Sequence, residues 1–433
     1  MKQFILKLTL MMAVLLSLAT PEAYAYDFEY GGIGYTVIST GDLTCRATEL
    51  VQDVEDLVIP GVVPFQGKEL RVISIEKQIC KSNTVIKSVS IADEIEEIGE
   101  SAFERCSNLV SVKLPLNLKE IPPSLFSSCG KLQEIEIPNQ VEIIGGFAFS
   151  YCDLTSVVIP ASTTSIGSLA FYHNYNLKEV KLGTSVKEIG FKAFVGCPLE
   201  DFVIPSNVER IYSDSFHDYD FSNEDMFHDL KITIEKSDAN LEVKYDYVEN
   251  PFASWDYVCL NRRIEAVYDK DSHYYGFRIG CKFLEIGEGV STSAFRYLPY
   301  DDSAISVKCM VLCKDARLFG EKPGGEDLDT IVIKSQEPPY CPEFSNTSYM
   351  RVKVLVPPGT LEIYQNADGW RNFWNIEESD IASGISDVMT DSAIQPREEY
   401  GRYDLSGRKV TGDYRGVVVV KYTDGSTAKV LQQ

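Results

Sequence analysis

The sequence predicts a β-rich solenoid, a stack of short coils with turns and little helix. Three observations carry this. Phe103, Phe126, Phe149, Phe171, Phe194 and Phe216 recur at steps of 23, 23, 22, 23 and 22 residues, and self-similarity at a period of about 20–29 residues marks a repeat array. The period slips at one loop only: three residues lead from Cys106 to Leu109 and from Cys129 to Leu132, but two from Cys152 to Leu154 and from Cys197 to Leu199. Val110, Val112 and Leu114 alternate with Ser111 and Lys113, the pattern of a half-buried strand. Pro115 then removes a ladder donor and ends it.

The first element is a processing segment, residues 1–25. Lys2 and Lys7 give a positive start, and Leu8 to Leu18 is apolar but too short to span a bilayer. Ala23-Tyr24-Ala25 is an A-x-A cleavage pattern, so a mature chain beginning at Tyr26 and exposed outside the cell is expected. No cysteine follows closely, which disfavours a lipid anchor, and no later apolar run approaches the length of a transmembrane helix. With 41 basic against 64 acidic residues the net charge is −23. That balance disfavours nucleic acid and anionic lipid as partners. Its plain reading is solubility, and the sharper alternative is calcium or a basic partner.

Residues 26–82 read as an N-terminal cap. Leu57-Val-Ile-Pro60 and Val72-Ile-Ser-Ile75 are irregular copies of the strand theme, and a terminal coil must be atypical because an ordinary one would leave its apolar edge open. Residues 83–217 are the regular repeats. Each holds a first strand closed by Pro115, Pro138, Pro160 or Pro205 (Gly183 once). A second short segment follows, such as Val141 to Gly145 or Val186 to Gly190, where glycine suits positive φ or close backbone approach. A small residue before the ring, as in Ala148-Phe149, completes the unit. No unit of this size buries its own apolar face, whereas stacked units cover one another.

This pattern resembles the BspA-like leucine-rich repeat family of bacterial surface proteins. The resemblance is carried by Ile98-Gly99-Glu-Ser-Ala102-Phe103-Glu-Arg-Cys106-Ser-Asn-Leu109-Val-Ser-Val112-Lys-Leu114-Pro115 and its copies. It weakens over 218–325 and returns in Leu328 to Ile376, where Pro338-Pro339, Val354-Leu-Val-Pro357-Pro-Gly359, Tyr364 and Trp370-Arg-Asn-Phe373 look like the family's closing module. It implies a leucine-rich-repeat solenoid with exported, non-catalytic members that bind partner surfaces. Residues 218–378 are thus degenerate repeats and closing module, 379–395 a small polar linker, and 396–433 a compact β tail. The tail is similar to C-terminal sorting-type domains of secreted proteins, which implies either an export role or a plain β cap.

Cys106, Cys129, Cys152 and Cys197 share one repeat position, taken by Asn174 in the fourth unit. Asn/Cys exchange is known at the buried turn of such repeats, so these thiols read as small buried hydrophobes. Bridging between coils is the alternative in an exported chain. Cys309-Met-Val-Leu-Cys313 lacks a zinc spacing and reads as strand core. His173 lies in a repeat loop and reads as solvated. His217 and His228 flank Asp214, Asp218, Asp220, Glu224, Asp225 and Asp229, which suits a solvated loop or a calcium site, without an EF-hand loop pattern. No nucleophile elbow, phosphate loop, H-E-x-x-H or dinucleotide fingerprint is present, and no cofactor is implied.

The candidate ligand-binding residues are the polar ladder of the first strands, Ser111, Lys113, Glu134, Glu136, Ser156, Glu179, Lys181 and Asp201, and the aromatic insertion with Trp255, Tyr257, Tyr274 and Tyr275. The ladder, with Val158 and Val203 outward, is either a solvated face or a recognition surface of mixed charge. The leading functional reading is a secreted or surface-exposed scaffold that binds protein or glycan in adhesion. A structural component of the cell envelope is the alternative, and a hydrolase with its site in 235–325, built on Asp/Glu and His273, the third.

Overall fold

The computed structural model describes residues 26–212, 215–216, 230–245, 255–268, 279–292, 305–318, 323, 325–380, 399–403, 409–410, 416–422 and 427–432. Residues 1–25, residues 381–398, Tyr274, Tyr275, His217, His228, His273 and the acidic residues Asp214, Asp218, Asp220, Glu224, Asp225 and Asp229 lie outside them. The chain divides into two compact units, Met1–Ser222 and Asn223–Gln433.

In the first unit, Phe28–Tyr30, Ile33–Ser39 and Thr44–Leu50 form an antiparallel meander. Thr44–Leu50 then pairs in parallel with Lys68–Ile75, which in turn pairs with Glu97–Ile98. Phe28 stacks on Phe65 at 4.2 Å. From Asp56 on, each coil presents three rows. The first is a parallel ladder in which Asp56–Ile59, Ser88–Ile91 and Ser111–Lys113 stay in register, so Leu57-Val-Ile-Pro60 stacks directly on the regular copies. The second joins Glu120–Ile121, Ile143–Ile144, Ser165–Ile166, Glu188–Ile189 and Arg210–Tyr212 in parallel. Ile121, Ile144, Ile166, Ile189 and Ile211 point inward and are buried. The glycines after this row serve close approach. A Cβ on Gly190 would lie 2.7 Å from the backbone of Gly167 and Ser168, and one on Gly145 2.6 Å from the nitrogen of Pro123.

The third row holds the phenylalanines. All six are buried and successive rings stack at 5.8, 5.8, 5.3, 5.3 and 5.9 Å, within 20° of parallel. Cys80 takes the ring's place one coil earlier. The backbone here is not a strand. Residues two before and two after the ring adopt positive φ, as at Ser101 and Arg105, Ser124 and Ser128, Phe147 and Tyr151, and Leu169 and His173. This turns alternate N–H groups toward the next coil: Ser101, Phe103 and Arg105 donate to the carbonyls of Pro123, Leu125 and Ser127. The row is thus satisfied by a ladder without strand geometry.

In the second unit, Lys231–Ile234, Tyr257–Leu260, Ile279–Ile286, Ile305–Leu312, Thr330–Ile333, Lys353–Val356 and Asn375–Glu378 form one parallel sheet. Tyr257–Leu260 and Thr330–Ile333 are buried on both faces, as parallel strands usually are. Cys259, Cys309, Val311, Val332 and Leu355 form a core against Phe283, and Cys309 is strand core. Two short helices, α1 (Asn346–Arg351) and α2 (Leu361–Asn366), are among the described residues. The closing motif is held by its polar handles. Trp370 Nε1 donates to the Pro339 oxygen at 2.7 Å and Tyr364 Oη to the Ser335 oxygen at 2.8 Å. Glu399–Tyr403, Lys409–Val410, Gly416–Tyr422 and Thr427–Gln432 make a four-stranded antiparallel sheet.

Candidate functional site

The first-strand row is where side chains alternate into the core and out to water. Val89, Val157, Val180 and Phe202 point inward and are buried, while Ser111, Lys113, Glu134, Glu136, Ser156, Glu179, Lys181 and Asp201 are exposed. Gln133-Glu-Ile-Glu-Ile137 alternates as regularly as its neighbours, yet residues 133–137 form no strand. The row is therefore split. Asp56–Ile59, Ser88–Ile91 and Ser111–Lys113 make one sheet, and Ser156–Val158 with Glu179–Lys181 another. The shortened loop at Cys152 to Leu154 falls at this junction. Asp153 and Thr155 donate to the Leu132 and Gln133 oxygens, and residues 133–137 are left outside both ladders.

The break opens a groove of about 760 Å³. Ser111, Glu134, Glu136 and Ser156 line it, so the structure gathers four of the eight ladder residues. Lys113, Glu179, Lys181 and Asp201 are not in the lining. The inward residues Val112 and Ile135 are only half-buried here, Val110, which the alternation would place inward with Val112, is exposed instead, and the outward Val158 is 63% exposed. Val203 keeps its outward place between the buried Phe202 and Ile204 but is half-buried. Beyond the groove Lys181 Nζ meets Glu179 Oε1 at 2.8 Å. That hydrogen bond, with the carboxylate charge, raises the Lys181 pKa. The groove's two carboxylates thus lie on the unpaired coil, bordered by apolar β-branched side chains.

Trp255 and Tyr257 correct the expectation of an exposed aromatic insertion. Trp255 is 5% exposed and Tyr257 is buried, because Tyr257 opens a parallel strand of the core and stacks on Phe283 at 5.0 Å. Tyr274 and Tyr275 lie outside the described residues. A cluster of partly exposed rings, with Tyr151 and Tyr175 outermost, occurs elsewhere. Tyr151, Tyr172, His173 and Tyr175 cluster on two successive coils, with Tyr172 stacked on His173 at 3.8 Å and Tyr175 Oη 2.9 Å from His173 Nδ1. His173 is half-buried among them, not simply solvated. The repeat register could have exposed this cluster, since Tyr151 and His173 both stand two residues after the ring.

The repeat thiols are buried and free, as are all eleven cysteines in kind if not in depth: each is unbridged. Among the described residues no group of three or more possible metal ligands occurs, and no helix among them is long and apolar enough to cross a membrane.

Residues 73–153 and 142–237 match the BspA type Leucine rich repeat region, in six copies. No curated protein matches the chain. Among solved structures, the chain is similar to a leucine-rich repeat protein from Bacteroides ovatus at 20% identity and TM-score 0.46, covering 82% of this chain and 100% of that one. It is also similar to a leucine rich cell surface protein from Faecalibacterium prausnitzii, at 22% identity and TM-score 0.44 over 84% and 98% of the two chains. The leucine-rich repeat protein of T. pallidum is 26% identical, with TM-score 0.37, over 44% of this chain and 86% of that one.

Proposed function

We propose that this chain, whose residues 73–237 are a BspA type leucine-rich repeat region, is an exported, non-catalytic binding scaffold that works in adhesion at the cell surface. Its ligand on the repeat face is an extended segment of a partner protein. The observation that supports this is the groove at residues 133–137, where the first-strand row is broken and Val112 and Ile135 of the interior row reach solvent. Leaving apolar surface and backbone donors uncovered has a cost of about 25 cal/mol per Å² for the apolar part, which a stack of repeats otherwise avoids. An extended chain supplies backbone partners and alternating side chains together. Glu134 and Glu136 on the groove, in a chain of net charge −23, favour basic side chains at alternate positions.

The test uses the chain without residues 1–25 against an array of extended peptides with alternating Lys and Val, with an alternating Glu and Val set as control. Binding to the basic set that weakens with salt and is lost in Glu134→Lys/Glu136→Lys is the expected result. Equal binding to both sets, or silence on both, sinks the reading.

A further inference from the structure

The closing module carries a second concavity, unrelated to the repeat face. At its rim three rings lie close in sequence, and two of them turn inward. Trp370 is 0% exposed and stacks on Phe373 at 5.8 Å, and its indole N–H is used by the Pro339 oxygen. Trp374 is left outside at 74% exposure, the highest of any large apolar side chain among the described residues. It is not a frayed end, because its N–H donates to the Tyr349 oxygen at 2.9 Å and Asn375–Glu378 continues the parallel sheet immediately after it. The indole is therefore presented to water from a backbone fixed on both sides.

Trp374 borders an open groove of about 950 Å³, near the top of the range of about 300–1,000 Å³ for small-molecule sites. The other walls combine apolar Pro342, Phe344 and Met350 with four strongly polar side chains. Asn346 comes from the first turn of α1, Glu343 from the segment before it, and Arg371 and Asn372 from the short 3₁₀ turn Trp370–Asn372. The Arg371 guanidinium is 3.3 Å from Asp368 in a solvent-exposed pair.

This chemistry excludes several ligand classes. An anion would meet Glu343 and an arginine that is already paired. A cation would have a single carboxylate. An apolar helix or peptide side chain would cover Trp374 but strand the amides and the carboxylate without partners, and unpaired polar groups in an interface are costly. A pyranose chain satisfies both kinds of wall. Its C–H face lies flat on the electron-rich indole, and its hydroxyl rim, donor and acceptor at once, meets the side-chain amides, the carboxylate and the guanidinium.

We infer that the Trp374 groove of the closing module is a binding site for a neutral oligosaccharide, with the indole as stacking platform and Asn346, Asn372 and Glu343 as hydroxyl partners. The inference does not depend on the groove at residues 133–137.

The chain has three tryptophans, and Trp255 and Trp370 are buried, so acrylamide quenching of indole emission reports on Trp374. The probes are cellohexaose, maltohexaose, xylohexaose and mannohexaose, with decaproline as a peptide control. At least one hexaose is expected to shield the indole in a saturable way. By calorimetry, Trp374→Ala should bind that hexaose about tenfold more weakly, and Trp374→Phe should lie between the two. Trp374 is exposed, so neither variant disturbs the core, which unchanged thermal unfolding verifies. Shielding by no hexaose overturns the inference, as does shielding by decaproline alone or hexaose affinity that survives Trp374→Ala. The Glu134→Lys/Glu136→Lys chain should bind the hexaose as the unaltered chain does, which separates failure here from failure of the repeat-face reading.

Discussion

The Sγ of Cys129 lies 3.2 Å from the main-chain oxygen of Phe103, one coil earlier. The same contact joins Cys106 to the Cys80 oxygen, Cys152 to the Phe126 oxygen and Cys197 to the Phe171 oxygen. Asn174 does this with a stronger donor, its Nδ2 reaching the Phe149 oxygen at 2.8 Å and the Phe171 oxygen at 2.9 Å. The shared requirement of the position is therefore a small side chain that donates inward. Asn174→Ala removes a donor from two buried carbonyls and should cost about 1–3 kcal/mol. Asn174→Cys restores one donor and should cost clearly less. Urea midpoints of the two variants give the comparison, and equal losses would refute the shared role.

Burial pushes the Cys106 and Cys152 thiols up to about 12 and drives those of Cys129 and Cys197 higher still. In the unfolded chain a thiol titrates near about 8.5. The folded pKa is the raised one, so the stabilisation is complete below about pH 8.5 and is lost as pH rises toward 12. Each such thiol adds a fall of about 1.4 kcal/mol per pH unit within that window. Under reductant, the urea midpoint should drop from pH 8 to pH 10, and Cys106→Ala/Cys152→Ala should flatten the slope while lowering the midpoint at neutral pH.

Phe126 is buried between the rings of Phe103 and Phe149, each 5.8 Å away. Truncation to alanine opens a void that the stack cannot close without moving two coils. Phe126→Ala should cost about 3–5 kcal/mol, seen as a lowered urea midpoint. Phe126→Leu should cost much less.

Arg105 holds φ at 60° and is exposed, a conformation that costs an L-residue about 1–2 kcal/mol. Its N–H, which donates to the Ser127 oxygen, is retained whatever the side chain. Arg105→Gly should leave thermal stability unchanged or raise it, whereas Arg105→Val, branched at Cβ, should lower it. Differential scanning calorimetry of the pair tests the turn geometry of the whole phenylalanine row. If the valine variant is the more stable, that geometry is wrong.

What the chain order alone established is whatever repeats: the period, the phenylalanine column, the Asn/Cys position and the proline-closed strands. These are legible because stacking like on like makes each neighbour's chemistry the residue's own, so one coil's pattern specifies its surroundings. Tertiary structure alone decided where the stacking lapses. Gln133-Glu-Ile-Glu-Ile137 reads as a strand, and only the placement of the adjoining coils leaves it unpaired. Trp255 and Tyr257 look like an exposed insertion but lie in the core, whereas Trp374, beside the buried Trp370, faces water. Burial of a ring depends on which distant segment covers it, and that is a matter of long-range packing that local spacing does not encode.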